Sequence, residues 1–114
     1  MKKENRLKKS HEIAHVVKLR QRVSGKYYTL YYKINDSKTL VAISVSKKYG
    51  TAVERNYAKR VVREIVRPLL STLPLASIVI VNKFEAKGKT FNDKKEDLEK
   101  IISILNRKVK KNNE

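Results

Sequence analysis

Between Val45 and Arg67 the chain reads VSKKYGTAVERNYAKRVVREIVR, which sets a lysine pair, a glycine turn and a series of arginines in one unbroken stretch. Residues of these types hold phosphates: ammonium and guanidinium groups donate charge-assisted hydrogen bonds to phosphate oxygens. Lys47 and Lys48 precede the turn at Gly50, and Thr51 with Glu54 three residues later matches the S/T-x-x-E capping box, so a helix is expected to begin at Ala52. Projecting Ala52 to Leu69 at about 100° per residue gathers Arg55, Asn56, Lys59, Arg60, Arg63 and Arg67 into one arc of roughly 140°, interrupted by Ala52 and Val66. Ala58, Val61, Val62, Ile65 and Leu69 take the other side, and the acids Glu54 and Glu64 fall off the basic arc. Unrelieved like charges at i,i+4 destabilise a helix, so an arc of this kind favours a polyanionic ligand over a merely solvated face.

The whole chain points the same way. Its 114 residues carry 28 Lys and Arg against 11 Asp and Glu, a formal charge of +17. Binding that releases counterions from several phosphates suits this composition, and such affinity falls steeply with salt. No stretch approaches the roughly 18 consecutive apolar residues a spanning helix needs, and the N-terminus is too basic to act as a signal peptide, so the chain reads as soluble and intracellular.

Catalytic groups are scarce. There is no cysteine, which removes disulfides, thiolate zinc sites and thiol nucleophiles together. His11 and His15 share a helix face at i,i+4 spacing, but no third ligand accompanies them, and exposed helix-face histidines are the expectation. Asp36, Asp93 and Asp97 are scattered without a clustered ligand pattern, and no nucleophile or general base stands out.

The elements that must position the cations follow from periodicity. With 40% hydrophobic residues the chain is expected to form one domain over residues 1–114, with mobile basic residues at both ends, Lys2 to Lys9 and Lys110 to Glu114. Ser10, Ile13, Val16 and Val17 predict a short amphipathic helix ending near Leu19. Tyr27 to Ile34 and Leu40 to Ser46 predict two strands, which the turn residues Asn35, Asp36, Ser37 and Lys38 would join as an antiparallel hairpin. Pro68 limits the basic helix, Ala76 to Val81 is a continuous apolar run expected as a buried central strand, and Asn92 or Asp93 would cap a last helix built on Leu98, Ile101, Ile102, Leu105 and Val109.

The second of those strands bears on function, because Ala42, Ser44 and Ser46 leave room on the face opposite Val41, Ile43 and Val45. If Tyr27, Thr29, Tyr31 and Lys33 lie beside them, a shallow groove with aromatic walls adjoins the basic helix. Base stacking on an aromatic ring is worth about 1 to 3 kcal/mol per base, which favours an unpaired strand over a duplex.

The pattern from Ser46 to Glu64, SKK, then G, then AV, RN, KR and RE, resembles the bacterial ribonuclease P protein subunit family. RLKKS at Arg6 to Ser10, TLYY at Thr29 to Tyr32 and the order of elements extend the likeness over nearly the full chain. The resemblance implies an α/β (α+β) two-layer sandwich, a small mixed β-sheet with three helices related to a ribosomal protein domain, with a left-handed βαβ crossover through the basic helix. It implies that RNA performs the cleavage with Mg2+ held mainly by that RNA. The protein would then be a bacterial cytoplasmic subunit that binds the catalytic RNA and the 5′ leader of precursor tRNA, with neither DNA nor membrane as partner. Position by position, Lys47, Lys48, Arg55, Asn56, Lys59, Arg60 and Arg63 match the RNA-facing motif, to which the projected arc adds Arg67. Ile13, Val17, Tyr31, Ala42, Ser44 and Ser46 fall where the family builds its leader-binding cleft.

Four positions depart from the family. Tyr57 stands in place of an arginine, Ile13 and Val17 in place of phenylalanines, and Arg20 where a glycine is common, which predicts a different exit from the first helix. The rival readings are a ribosomal or other structural RNA-binding protein, which would not require the KK to RNxxKR arrangement, and a DNA-binding module, for which no helix-turn-helix spacing is present.

Overall fold

β-branched and aromatic residues concentrate in runs that form strands, and 3.6-residue apolar spacing builds the helices between them. The computed structural model describes residues 6, 7, 10–35 and 37–112, with side chains as far as 109. Its elements are α1 (Ser10–Lys18), β1 (Arg22–Ser24), β2 (Tyr28–Ile34), β3 (Leu40–Ser44), α2 (Ala52–Val66), β4 (Ala76–Asn82) and α3 (Phe91–Asn112). The expected mobile ends fall largely on residues 1–5, 8, 9, 113 and 114, outside the described residues, while α3 runs into the expected C-terminal tail as far as Asn112.

The apolar run Ala76 to Val81 takes the interior of a four-stranded mixed sheet ordered β1-β2-β4-β3. β4 pairs antiparallel with β2 and parallel with β3, so the expected β2–β3 hairpin is not formed. The reason is burial: Ile78, Val79 and Ile80 are all buried, so both edges of β4 and both of its faces must be covered. Asn35 keeps its turn role, its Oδ1 accepting the N–H groups of Ser37 and Lys38 at 3.0 Å each. The connection then passes the start of β4 and is tied there, the Asn35 N–H donating to the Leu75 carbonyl at 3.1 Å and the Thr39 hydroxyl to the Pro74 carbonyl at 2.8 Å. β2 finds its hairpin partner in β1, a three-residue strand that the periodicity did not predict.

Tyr28, Leu30, Tyr32, Val41, Ile78 and Ile80 face a core shared with Ala58, Val62, Ile65 and Val66 of α2 and Leu98, Ile101, Leu105 and Val109 of α3. The opposite face is partly covered by α1, whose Val16 packs with Leu7, Ala42 and Val79. Arg6 bridges to Val41 in parallel, and the Leu7 N–H donates to the Val41 carbonyl at 3.0 Å, so this segment lies along the outer edge of β3.

Two helix termini differ from the expectation. α3 begins at Phe91 and its cap is Thr90, whose Oγ1 accepts the Asp93 N–H at 3.1 Å, so Asn92 and Asp93 lie inside the first turn. After α1, Arg20 has φ 59°, a left-handed conformation that glycine adopts at no steric cost, so the exit turns there on a non-glycine residue.

Candidate nucleic-acid interface

The position of α2 is fixed at its first turn. Thr51 Oγ1 accepts the Glu54 N–H at 3.2 Å and Glu54 Oε1 accepts the Thr51 N–H at 2.9 Å, the reciprocal capping box read from the sequence. Glu54 Oε2 also meets Lys87 Nζ at 3.0 Å, and the Thr51 backbone bond followed by Lys87 holds this carboxyl below its ordinary range. Lys47 and Lys48 are exposed in the 3-10 turn just before, which is anchored by buried Tyr49, its N–H donating to the Ser46 carbonyl at 3.0 Å. β3 stops at Ser44, so Ser46 is exposed outside the strand.

Packing turns the cationic arc slightly away from its projected position. Val66 is fully buried, which draws neighbouring Arg55 to the edge of the core, where its Nε is buried without a hydrogen-bond partner. The exposed side is correspondingly displaced toward Val53, Tyr57 and Glu64. Asn56, Arg60, Arg63 and Arg67 join those three and Arg6 around a cavity of about 680 Å³. Glu64, expected away from the basic residues, therefore stands among them, and Arg55 does not line the cavity. Lys59 turns to a second cavity of about 220 Å³ at the outer edge of β3, lined also by Arg63, Arg6, Ile13, Ala42 and Ile43. Arg63 and Arg6 belong to both, so the guanidinium face of α2 continues to the flank of α1.

That flank holds the expected cleft residues. Register places Tyr31, Val79 and Ala42 in one row across the sheet and Thr29, Val81 and Ser44 in the next, all on the α1 face. Ile13 and Val17, like Tyr31 and Val81, pack against the buried cluster of Leu7, Val16, Ala42 and Val79. Ala42 is buried, yet with Ile13 it lines the cavity of about 220 Å³ at the edge of β3, whereas Ser44 stays half-exposed. Asn82 secures this strand end through its Nδ2, which donates to the Ser44 carbonyl at 3.2 Å. Tyr27 lies before β2 and packs toward the opposite core, so of the expected aromatic walls only Tyr31 stands at the cleft. Arg6, Tyr57 and Val53 were not predicted to line the cationic surface, although Val53 and Tyr57 lie at i,i+4 on the helix and a wider projection would have found them.

The donor set here does not fit a resident divalent cation, since Glu64 is a single carboxylate among four arginines. Among the described residues no group of three or more His, Asp or Glu side chains is placed to hold a metal, and no helix is long and apolar enough to cross a membrane. His11 and His15 are both exposed on α1. What the surface can do chemically is neutralise and orient phosphates, with a half-exposed apolar and hydroxyl-bearing strip beside them.

A family model described as Ribonuclease P matches residues 1–106. The ribonuclease P protein component of Phytoplasma australiense is 39% identical over 109 residues, covering 93% of this chain and 95% of its own. That of Staphylococcus haemolyticus is 32% identical over 114 residues, covering 96% and 100%. A solved structure of a Staphylococcus aureus RNase P protein mutant with defective mRNA degradation activity superposes with a TM-score of 0.83 at 30% identity, over 90% of this chain and 88% of that one. The Thermotoga maritima RNase P protein gives 0.76 at 25% identity, over 85% and 94%.

Proposed function

Because the chain belongs to the ribonuclease P protein family, we propose that it is the RNA-holding subunit of that ribonucleoprotein, with catalysis left to the RNA. The α2 surface of Asn56, Arg60, Arg63 and Arg67, with Lys47 and Lys48 before it, holds the catalytic RNA. The strip of Ile13, Val17, Tyr31, Ser44 and Ser46 beside α1 takes the unpaired 5′ leader of precursor tRNA. The observation that carries this reading is the continuity of the two surfaces: Arg63 and Arg6 line both the guanidinium cavity and the cavity that contains Ile13 and Ala42. One bound strand and one folded RNA can therefore be neutralised by the same arginine.

Each part has a physical role. Two polyanions repel each other, and cations between them lower that cost and steer association. The strip accepts bases only when they are unpaired, with Tyr31 as its aromatic member. With Ile13 and Val17 in place of larger rings, the α1 side offers apolar contact in place of stacking. The Mg2+ ions that serve the cleavage belong to the RNA in this reading, as the side chains of α2 offer no suitable donor set.

The test is cleavage of precursor tRNA at low Mg2+ by catalytic RNA alone, by this protein alone and by both. Activity only in the mixture supports the proposal. Tight RNA binding with no gain in cleavage would favour a structural RNA-binding role, and activity from the protein alone would place the chemistry elsewhere.

A further inference from the structure

Large apolar side chains left in water are normally scattered. Here four of the six such residues among those described meet at one junction: Val53 is 78% exposed, Tyr57 62%, Phe84 63% and Phe91 46%. The junction joins the first half of α2 to the β4–α3 connection and the start of α3, and it is held by lysines. Lys87 Nζ lies 5.8 Å from the Phe84 ring centroid and 3.0 Å from Glu54 Oε2. Lys94 Nζ lies 5.8 Å from the Tyr57 centroid, and Phe91 sits one turn before it on α3. Gly88, at φ 81°, turns the connection with nothing near the position a Cβ would take.

We infer that this junction is a second RNA contact, a stacking platform for unpaired nucleotides that leave the guanidinium cavity of α2. Three arguments carry it. The Phe84 and Tyr57 rings are held in place by Lys87 and Lys94 yet remain open on much of their surface, so stacking on them requires little further ordering. Between Lys83 and Lys95 one of the five lysines, Lys94, is buried and Lys87 is paired with Glu54, but Lys89 and Lys95 are exposed beside the rings, cations complementary to phosphates and unsuited to a basic partner. The platform is also continuous with the proposed RNA surface, because Val53 and Tyr57 line the cavity of Arg60, Arg63 and Arg67. This inference rests on the RNA-holding role proposed above. It adds a place where bases, rather than phosphates, are held, and it gives Tyr57 a stacking role at the position where the family has an arginine.

The chain contains no tryptophan, so Phe84→Trp supplies a single reporter at the platform. A short oligoadenylate is expected to quench its fluorescence, while an RNA duplex of equal length at equal occupancy leaves it unchanged. In parallel, Phe84→Ala/Phe91→Ala should melt like the parent, because both rings are exposed, and should bind the oligoadenylate about tenfold more weakly for each stack lost. Its salt dependence should match the parent's, since stacking releases no counterions, whereas Arg60→Ala should reduce that dependence. If the parent and Arg60→Ala behave as described but the double variant binds like the parent and the reporter is silent at saturation, the platform is overturned and the RNA-holding role stands. If the parent does not bind RNA at all, both fall. A parent that sediments as a dimer and a double variant that sediments as a monomer with unchanged RNA affinity would make the junction a protein interface and overturn the proposal.

Discussion

Asp97 Oδ2, on α3, accepts the backbone N–H of Tyr27 at 2.9 Å, and its Oδ1 accepts that of Lys26 at 2.8 Å. One buried carboxylate thereby fastens the last helix to the β1–β2 turn, and Gly25 is needed for the approach, since a Cβ there would lie 2.6 Å from both carboxyl oxygens. Asp97→Ala strands two N–H donors and is expected to cost about 3 kcal/mol. Urea unfolding should show a lower midpoint with an unchanged slope, and Asp97→Asn, with one acceptor oxygen for two donors, should fall between. A midpoint unchanged in Asp97→Ala would mean that water replaces the carboxylate at no cost.

Arg20 occupies the left-handed region at φ 59° without being a glycine. A side chain there costs about 1 to 2 kcal/mol, which glycine avoids at the expense of a more flexible unfolded chain. Arg20→Gly should therefore raise stability by about 0.5 to 1 kcal/mol, seen as a Tm a few degrees higher. Arg20→Val, β-branched at the same φ, should lower it.

What the sequence revealed of the fold divides along chain distance. The Thr51–Glu54 box, the start of α2 at Ala52 and the buried spacing Leu98, Ile101, Ile102, Leu105 and Val109 are local, and the structure has them where the pattern puts them. The β2–β3 pairing is not local: β4, more than thirty residues further on, enters between the two strands, and nothing in Tyr27 to Ser46 announces it. β1 is too short and too polar for its alternation to register. Asp97 was passed over because its partners lie seventy residues away, whereas Thr90 was legible, since Thr90 and Asp93 form the same S/T-x-x-D/E signal that marked α2. At the candidate site the residue types were readable, but the tilt that buries Val66, moves Arg55 to the core edge and brings Glu64 among the arginines is set by packing against the sheet.

Glu54 gives a pH dependence with a definite sign. Its folded-state proton affinity is lowered by the Thr51 backbone bond and then by Lys87, so its contribution is present above the ordinary carboxylate range and is lost as pH falls through and below it. Melting temperatures measured from neutral pH into the acid range should fall less steeply for Glu54→Gln than for the parent. The other carboxylates are common to both proteins, so the difference isolates this one. Parallel curves would assign the acid loss to other groups.

Arg55 and Arg60 look equivalent on a helical wheel, but the structure separates them. Arg60 is exposed in the large cavity, and Arg60→Ala should leave the melt unchanged while reducing the salt dependence of RNA binding by about one phosphate contact. Arg55 has a buried Nε with no partner, a burden on the free protein, so Arg55→Met is expected to raise its stability by about 1 kcal/mol. Calorimetry of the free variants beside RNA titrations at several salt concentrations checks both. Equal effects on folding and binding in the two variants would return Arg55 to the same role as Arg60.

At a formal charge of +17 the free protein repels itself, and four arginines surround the α2 cavity. Sulfate bound there binds the native chain and not the unfolded one, so Tm should rise with the logarithm of sulfate concentration once the site begins to fill. Sulfate also strengthens burial generally by its exclusion from protein surfaces, and a comparison with chloride at matched ionic strength cannot by itself separate that effect from site binding. Arg60→Ala/Arg63→Ala separates them: exclusion acts on the whole surface and persists in the variant, whereas site binding is lost with the two guanidiniums. The expected result is a sulfate-specific rise in the parent that is largely abolished in the double variant, with the chloride curves running parallel. Equal sulfate responses in the two proteins would show that the cavity holds no anion, and would remove phosphate neutralisation at α2 from the account of how this chain engages RNA.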